Sequence, residues 1–184
     1  MLSLANLRPN DVFFDLGCGN ASILIFVVRF FGVKKAIGYE DNGFRYKNAL
    51  INIRKNHLSD RIVVHKEDMH NADLTAADIV FDMLPEGESD VKDLYEQDIK
   101  DGTRLLKHDL PLIGYIADKV DYPFYRMTFP LRKANSKNHW ASHLLGRSNA
   151  RIEEVWHELF FYESEKHYTR WDIKRYKRIL HNRL

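Results

Sequence analysis

The stretch Val12-Phe13-Phe14-Asp15-Leu16-Gly17-Cys18-Gly19-Asn20-Ala21 decides the fold of this chain of 184 residues. A short apolar run that ends at glycines predicts a buried strand. The next run, 22–31, is mostly apolar, is long enough for a helix, and stops at Gly32, a residue type that commonly terminates helices. The stretch therefore predicts a strand, a tight glycine turn and a helix N-terminus. This geometry brings bare backbone close to a ligand.

The same alternation continues along the chain as far as Pro111. Strands are predicted at 12–15, 35–40, 61–65, 78–84 and 103–107, and helices at 22–31, 44–57 and 91–100. Strands that alternate with helices through short connections predict an α/β fold, a Rossmann-like, mostly parallel sheet flanked by helices.

The pattern loosens beyond Pro111. We expect an extended segment at 112–117, a long loop or lid at 132–150, a strand at 152–162 and a basic helix or tail at 166–184. These segments bring the predicted sheet to seven strands. The sequence thus predicts one domain over 1–165, large enough for an enzyme, and a basic C-terminal extension over 166–184.

Composition and charge indicate a globular protein with an uneven distribution of charge along the chain. Hydrophobic residues make up 45% and charged residues 29%, which is typical of a globular domain, and no apolar run is long enough to span a bilayer. A single cysteine and an N-terminus without a signal-peptide pattern predict a cytoplasmic protein. Residues 1–111 hold 14 lysines and arginines against 18 acids, whereas 112–184 hold 14 against 8. The second part therefore either meets an anionic partner or forms a solvated basic surface.

Acidic residues follow the predicted strands at the edge where parallel sheets bind ligands. These are Asp15, Glu40, Glu67, Asp68 and Asp82. A carboxylate directly before the glycine turn would repel a pyrophosphate, but it would attract a cationic group. The sequence therefore favours a cofactor with positive charge, such as S-adenosylmethionine, over a dinucleotide.

The first motif of class I S-adenosylmethionine-dependent methyltransferases resembles the stretch Phe14-Asp15-Leu16-Gly17-Cys18-Gly19. Ala21 departs from the third glycine of that motif. The resemblance implies that Glu40 holds the ribose hydroxyls and that Asp68 accepts from the adenine amino group. The cofactor-binding set that it implies is Asp15, Gly17, Cys18, Gly19, Asn20, Glu40, Asp41, Glu67, Asp68, Met69 and Asp82.

Within that superfamily the chain is most similar to compact archaeal protein-lysine methyltransferases, through Gly38-Tyr39-Glu40 and the segment 102–109. This resemblance implies methylation of protein lysines, with Asp82 and then Glu86 as the catalytic candidates that position the amine. Two alternatives stay open. One is an RNA or DNA methyltransferase that uses the basic tail, and the other is a non-catalytic binding module that kept the fold.

Two further patterns, a pair of histidines and a basic C-terminal segment, can each be interpreted as functional or as purely structural. His139 and His143 have the i, i+4 spacing of some zinc ligands, but no third ligand is obvious, so we predict no metal site. The segment 166–183 holds seven lysines and arginines against one aspartate, with aromatic residues between them. It is either a nucleic-acid-binding segment or an amphipathic helix with a solvated basic face.

Overall fold

The computed structural model describes residues 2–83, 93–108, 111–112, 114–121, 123–144 and 151. The strands are β1 (Val12–Leu16), β2 (Lys35–Tyr39), β3 (Ile62–His65), β4 (Ile79–Asp82), β5 (Arg104–His108), β6 (Lys119–Asp121) and β7 (Phe124–Thr128). The α-helices are α1 (Leu2–Ala5), α2 (Ser22–Phe26), α3 (Gly43–Lys55) and α4 (Lys137–Leu144). Helix α2 continues as a π-helical turn, Val27–Phe31, and short 3-10 helices lie at Met69–Asn71 and Asp93–Glu96.

The described strands form a seven-stranded sheet in the order β3-β2-β1-β4-β5-β7-β6. Strands β1 to β5 pair in parallel, β7 runs antiparallel to β5, and β6 runs antiparallel to β7. The predicted Rossmann-like, mostly parallel sheet is confirmed. The strand order reverses between β1 and β4, and open parallel sheets bind ligands at the carboxyl ends of strands beside such a reversal.

Both faces of the sheet are covered, as the apolar strands require. The neighbours Phe13 and Phe14 of β1 point to opposite faces and belong to two separate buried clusters. Helices α1, α2 and α3 contribute to the cluster of Phe13, and α4 contributes to the cluster of Phe14. The carboxyl edge of the sheet between these two layers is where the candidate site lies.

Helix α1 is held to the sheet by two arginines that lie far away in sequence. Nη1 of Arg104 donates to the carbonyls of Ala5 (2.7 Å) and Asn6 (2.5 Å), while its Nη2 donates to Oδ1 of Asp11 (2.8 Å). Arg126 also donates to the carbonyl of Leu4 (3.2 Å). These bonds satisfy carbonyls that a helix leaves unpaired at its C-terminus.

Three sequence predictions differ from the structure. The predicted helix over 91–100 is, in its described part, a single 3-10 turn at Asp93–Glu96. The described residues of the segment 112–117, namely 112 and 114–117, form no strand, and Tyr115 makes an isolated bridge to Lys133. The hairpin of β6 and β7 lies next to β5 in the described sheet instead. The predicted loop over 132–150 contains α4. The predicted strand at 152–162, the tail at 166–184 and Glu86 lie outside the described residues.

Helix α4 forms because its few apolar residues share one face. Trp140, Ala141 and Leu144 are buried, and Trp140 is fully inaccessible. The indole Nε1 donates to the carbonyl of Tyr115 (3.0 Å), which fastens the helix to the preceding segment. Oγ of Ser136 accepts from the backbone N–H of His139 (3.1 Å) and so caps the helix N-terminus.

Candidate active site

The glycine turn after β1 leaves a space beside the strand ends. Gly17 and Gly19 have φ of 86° and 56°, a region that favours glycine, and a Cβ on either would meet no heavy atom within 4 Å. The backbone N–H groups of Gly17 and Cys18 donate to the carbonyl of Tyr39 (3.0 and 2.9 Å). The turn is therefore fixed to β2 while its glycines stay open to a ligand.

Ala21 shows how the chain accommodates its departure from the third glycine. Its φ is 66°, in the left-handed region, and its side chain is completely buried. The backbone conformation of a glycine is thus kept with a methyl group in place.

Glu40 follows β2 and is locked against the glycine turn. Its Oε2 accepts from the backbone N–H of Gly19 (2.9 Å) and its Oε1 from that of Asn42 (2.9 Å). Asn42 in turn caps α3, because its Oδ1 accepts from the N–H groups of Phe44 and Arg45 (both 3.0 Å). The helix cap and the turn together fix the carboxylate of Glu40 at the carboxyl edge of β2.

Asp15 lies at the centre of this edge and is 4% exposed. Burial, the charge of Asp82 and the charge of Glu40, in that order, raise the pKa of Asp15 to about 7. A buried carboxylate among other carboxylates is stabilised by a cation and destabilised by a phosphate. The arrangement therefore fits the ammonium and sulfonium groups of S-adenosylmethionine and does not fit a pyrophosphate.

Asp82, at the end of β4, is completely buried and paired with a cation. Its Oδ2 accepts from Nζ of Lys107 (2.9 Å) and from the hydroxyl of Tyr95 (2.6 Å). Lys107 comes from the neighbouring strand β5, where it stands opposite Asp82 in the register. Neither Lys107 nor Tyr95 was predicted from the sequence as a partner of Asp82. The signal for Lys107 was its place directly after Leu105 and Leu106 in the predicted strand.

The loop after β3 carries the remaining predicted residues. Oδ1 of Asp68 accepts from the backbone N–H of His70 (2.9 Å) and lies 2.6 Å from its Nδ1, and these hydrogen bonds lower the pKa of Asp68. Met69 is buried in the core, whereas Asp41 and Glu67 are exposed. The structure thus brings together Asp15, Glu40 and Asp82, and leaves Asp41 and Glu67 at the surface.

Cys18 and Asn20 complete the turn by packing and by hydrogen bonds. Burial and then the charges of Asp15 and Glu40 raise the pKa of the Cys18 thiol, so the thiol stays protonated. Oδ1 of Asn20 accepts from the N–H and hydroxyl of Ser22 (3.2 and 2.5 Å), and its carbonyl accepts from Nδ2 of Asn52 in α3 (3.0 Å). Both residues shape the turn.

A polar cavity of about 600 Å³ lies at the opposite, amino edge of the sheet. Three of the cations that line it bind acids: Arg104 pairs with Asp11, Lys100 with Asp78, and Arg126 with Asp118. The cavity is therefore the surface of a structural ion-pair network, away from the strand ends that carry the buried carboxylates.

The part of the chain that the structure describes contains neither a metal-binding cluster nor a membrane-spanning helix. No group of three or more His, Cys, Asp and Glu side chains is placed to hold a metal ion there. Nδ1 of His139 accepts from the N–H of Asn135 (2.9 Å), and Nε2 of His143 contacts the carbonyl of Ala117. Among the same residues, no helix has the length and hydropathy needed to cross a bilayer.

Comparison with known proteins agrees with this geometry. The model of the family described as ribosomal protein L11 methyltransferase (PrmA) matches residues 2–147. A protein-lysine N-methyltransferase of Saccharolobus islandicus (strain REY15A) is 34% identical over 121 residues, which are 65% of this chain and 75% of that protein.

A solved structure is similar over about two thirds of this chain. The RNA methyltransferase from Salinibacter ruber, in complex with S-adenosyl-L-homocysteine, superposes with a TM-score of 0.63 at 27% identity and covers 69% of this chain and 86% of that one. The glycine turn, the buried acids and the family match over most of the chain lead to one conclusion. This chain belongs to the ribosomal protein L11 methyltransferase (PrmA) family of class I S-adenosylmethionine-dependent methyltransferases.

Proposed function

We propose that this methyltransferase acts on lysine side chains of proteins. The observation that carries the proposal is the 34% identity to a protein-lysine N-methyltransferase. The matching family is likewise named for a protein acceptor. The family description supports a protein as the acceptor, and the name of the relative supports the amine of a lysine.

The chemistry of that acceptor sets what the site must do. Bound S-adenosylmethionine supplies an activated methyl group on its sulfonium, and the protein must orient a neutral amine in line with it and exclude water. A fixed carboxylate close to the amine helps to orient it and to take its proton. We propose Asp82 for this role, since Lys107 and Tyr95 hold its carboxylate in one orientation. Glu86 remains the second candidate from the sequence.

The test is a labelling assay with methyl-labelled cofactor and a host lysate. We expect label in protein bands that resists nuclease, disappears with protease, and maps to methylated lysine by mass spectrometry. Asp15→Ala is the matched control, because it removes a buried carboxylate of the cofactor site and should abolish the label. Label that is confined to nucleic acid would contradict the proposal.

A second candidate acceptor is RNA. It is favoured by the likeness to the Salinibacter ruber RNA methyltransferase and by the excess of basic residues in 112–184. Under this alternative, deletion of 166–184 should weaken RNA binding and flatten its dependence on salt concentration, because fewer phosphates are neutralised. Filter binding at several salt concentrations measures both quantities.

We also propose the setting in which the enzyme works. Its single cysteine is buried and has no disulfide partner in the sequence, which suits a reducing compartment such as the cytoplasm. We propose that residues 1–165 form the methyltransferase domain and that residues 166–184 form a basic extension.

A further inference from the structure

The carboxyl edge of the sheet buries an unbalanced set of charges. Among the described residues at this edge, the buried charged side chains are Asp15, Glu40, Asp82 and Lys107, which are 4%, 4%, 0% and 1% exposed. Three carboxylates therefore lie beside one ammonium in a region from which water is largely excluded. Charges in such surroundings act on one another strongly.

Among the described residues, Lys107 forms an ion pair with Asp82 and not with Asp15 or Glu40. Its Nζ lies 2.9 Å from Oδ2 of Asp82, whereas no described cation forms an ion pair with Asp15 or Glu40. The charge of Asp82 nevertheless reaches Asp15, where it is one of the causes of the raised pKa. Among the described residues, Lys107 adds one buried positive charge next to Asp82, and this charge opposes that of the carboxylates.

The net charge of the cluster affects the affinity for the two forms of the cofactor differently. S-adenosylmethionine carries a positively charged sulfonium, and its demethylated product S-adenosylhomocysteine carries a neutral thioether at the same position. The two ligands are otherwise alike, so a nearby protein charge changes the ratio of their affinities. A more negative cluster favours the methyl donor, and a less negative cluster favours the product.

We propose that Lys107, through its ion pair with Asp82, sets the preference of this enzyme for S-adenosylmethionine over S-adenosylhomocysteine. Lys107 is thus a positioning and charge-setting residue of the cofactor site. The carboxylate of Asp82 raises the preference for the sulfonium of the donor, and the ammonium of Lys107 lowers it, so the ion pair holds the preference between the values that either charge alone would give. The proposal rests on the use of the cofactor by the family and not on the proposed protein substrate.

The experiment measures dissociation constants of both ligands by titration calorimetry, at about pH 8.5 and without any methyl acceptor. At an effective dielectric constant of about 20, one unit charge within about 10 Å of a ligand charge changes an affinity roughly tenfold. We therefore expect Lys107→Gln to raise the preference for the methyl donor about tenfold and Asp82→Asn to lower it about tenfold. The double variant Lys107→Gln with Asp82→Asn keeps the net charge and should restore the wild-type ratio.

Two further variants separate charge from structure. Lys107→Arg keeps the charge and should keep the ratio within about threefold of the wild type. Arg104→Gln breaks the other buried ion pair of β5, with Asp11 at the opposite edge of the sheet, and should lower the melting temperature while leaving the ratio unchanged. The paired comparison shows whether the ratio follows charge at the carboxyl edge or stability in general.

The outcomes decide between the explanations. Equal ratios in wild type, Asp82→Asn and the double variant would overturn the proposal, and this comparison stands even where Lys107→Gln does not fold. Loss of affinity for both ligands by the same factor would assign Lys107 and Asp82 a structural role only, and would overturn it as well. Failure of the wild type to bind either ligand would contradict use of the cofactor itself.

Discussion

The buried carboxylate of Asp15 predicts that cofactor affinity depends on pH with a midpoint near neutrality. Its pKa is raised to about 7, chiefly by burial and then by the charges of Asp82 and Glu40. The ionised form attracts a cationic ligand and the protonated form does not. About one tenth of the side chains are ionised at a pH one unit below the pKa, so at about pH 6 the affinity for S-adenosylmethionine should be roughly tenfold weaker than at about pH 8.

The same pKa has the opposite effect on the stability of the free protein. Between about pH 4 and about pH 7 folded Asp15 keeps a proton that the unfolded chain has lost, so the free energy of unfolding falls as pH rises through this window. A shift of the Asp15 pKa from 3.8 to about 7 corresponds to about 4 kcal/mol of the free energy of unfolding. Asp15→Asn, which keeps the shape without the charge, should therefore stabilise the free protein at about pH 8 while it weakens cofactor binding.

Titration calorimetry in buffers of different ionisation enthalpy tests both parts of the reasoning. Binding at about pH 6 should release close to one proton per cofactor, and binding at about pH 8.5 close to none. Asp15→Asn should show neither the proton release nor the loss of affinity at low pH. A wild-type affinity that does not change between about pH 6 and pH 8, or a pH dependence that persists in Asp15→Asn, would refute the assignment.

Three further predictions follow from the glycine turn and its surroundings. Gly17→Ala should lower the free energy of unfolding in urea by about 1 kcal/mol, because φ of Gly17 is 86°. The substitution should lower the free energy of cofactor binding by more than this, because the new Cβ enters the open space of the turn. Equal losses in the two free energies would contradict this prediction. Gly38→Ala should destabilise the protein by about 1–3 kcal/mol in the same assay, because the new Cβ would lie 2.5 Å from Sγ of Cys18 and 2.7 Å from Cδ1 of Leu24. The thiol of Cys18 should react with iodoacetamide only on unfolding, as followed by mass spectrometry, since its pKa is raised and its side chain is buried; rapid labelling of the native protein would disprove it.

The parallel part of the sheet could be predicted from the sequence, because it depends on local patterns of apolar residues and turns. The strands β1 to β4 are mostly apolar runs that end at turns or acids, and the alternation of strands with helices predicts a parallel sheet. The carboxylates at the strand ends could be placed on one edge for the same reason. Their burial could not be predicted, because it depends on how the layers pack.

The features that the sequence analysis missed depend on contacts between distant segments. Helix α4 is short and polar, and it is stabilised by the burial of Trp140 rather than by helix propensity. Its sequence signal was Ser136 as a cap followed by apolar residues at helical spacing. The sequence around Lys107 does not show that it pairs with an acid, and only the register that places it opposite Asp82 reveals this pairing. A hairpin of a three-residue and a five-residue strand, β6 and β7, is also too short to give a clear alternation.

The arginines that hold α1 have a consequence for how the chain folds. The bond from Arg104 to the carbonyl of Ala5 joins residues 99 positions apart, and that from Arg126 to Leu4 joins residues 122 apart. A growing chain leaves the ribosome N-terminus first, so α1 is made long before the arginines that fix it. Closing so large a loop costs entropy that only the nearly complete sheet can offset. During synthesis, helix α1 is therefore among the last of the described elements to be fixed in place.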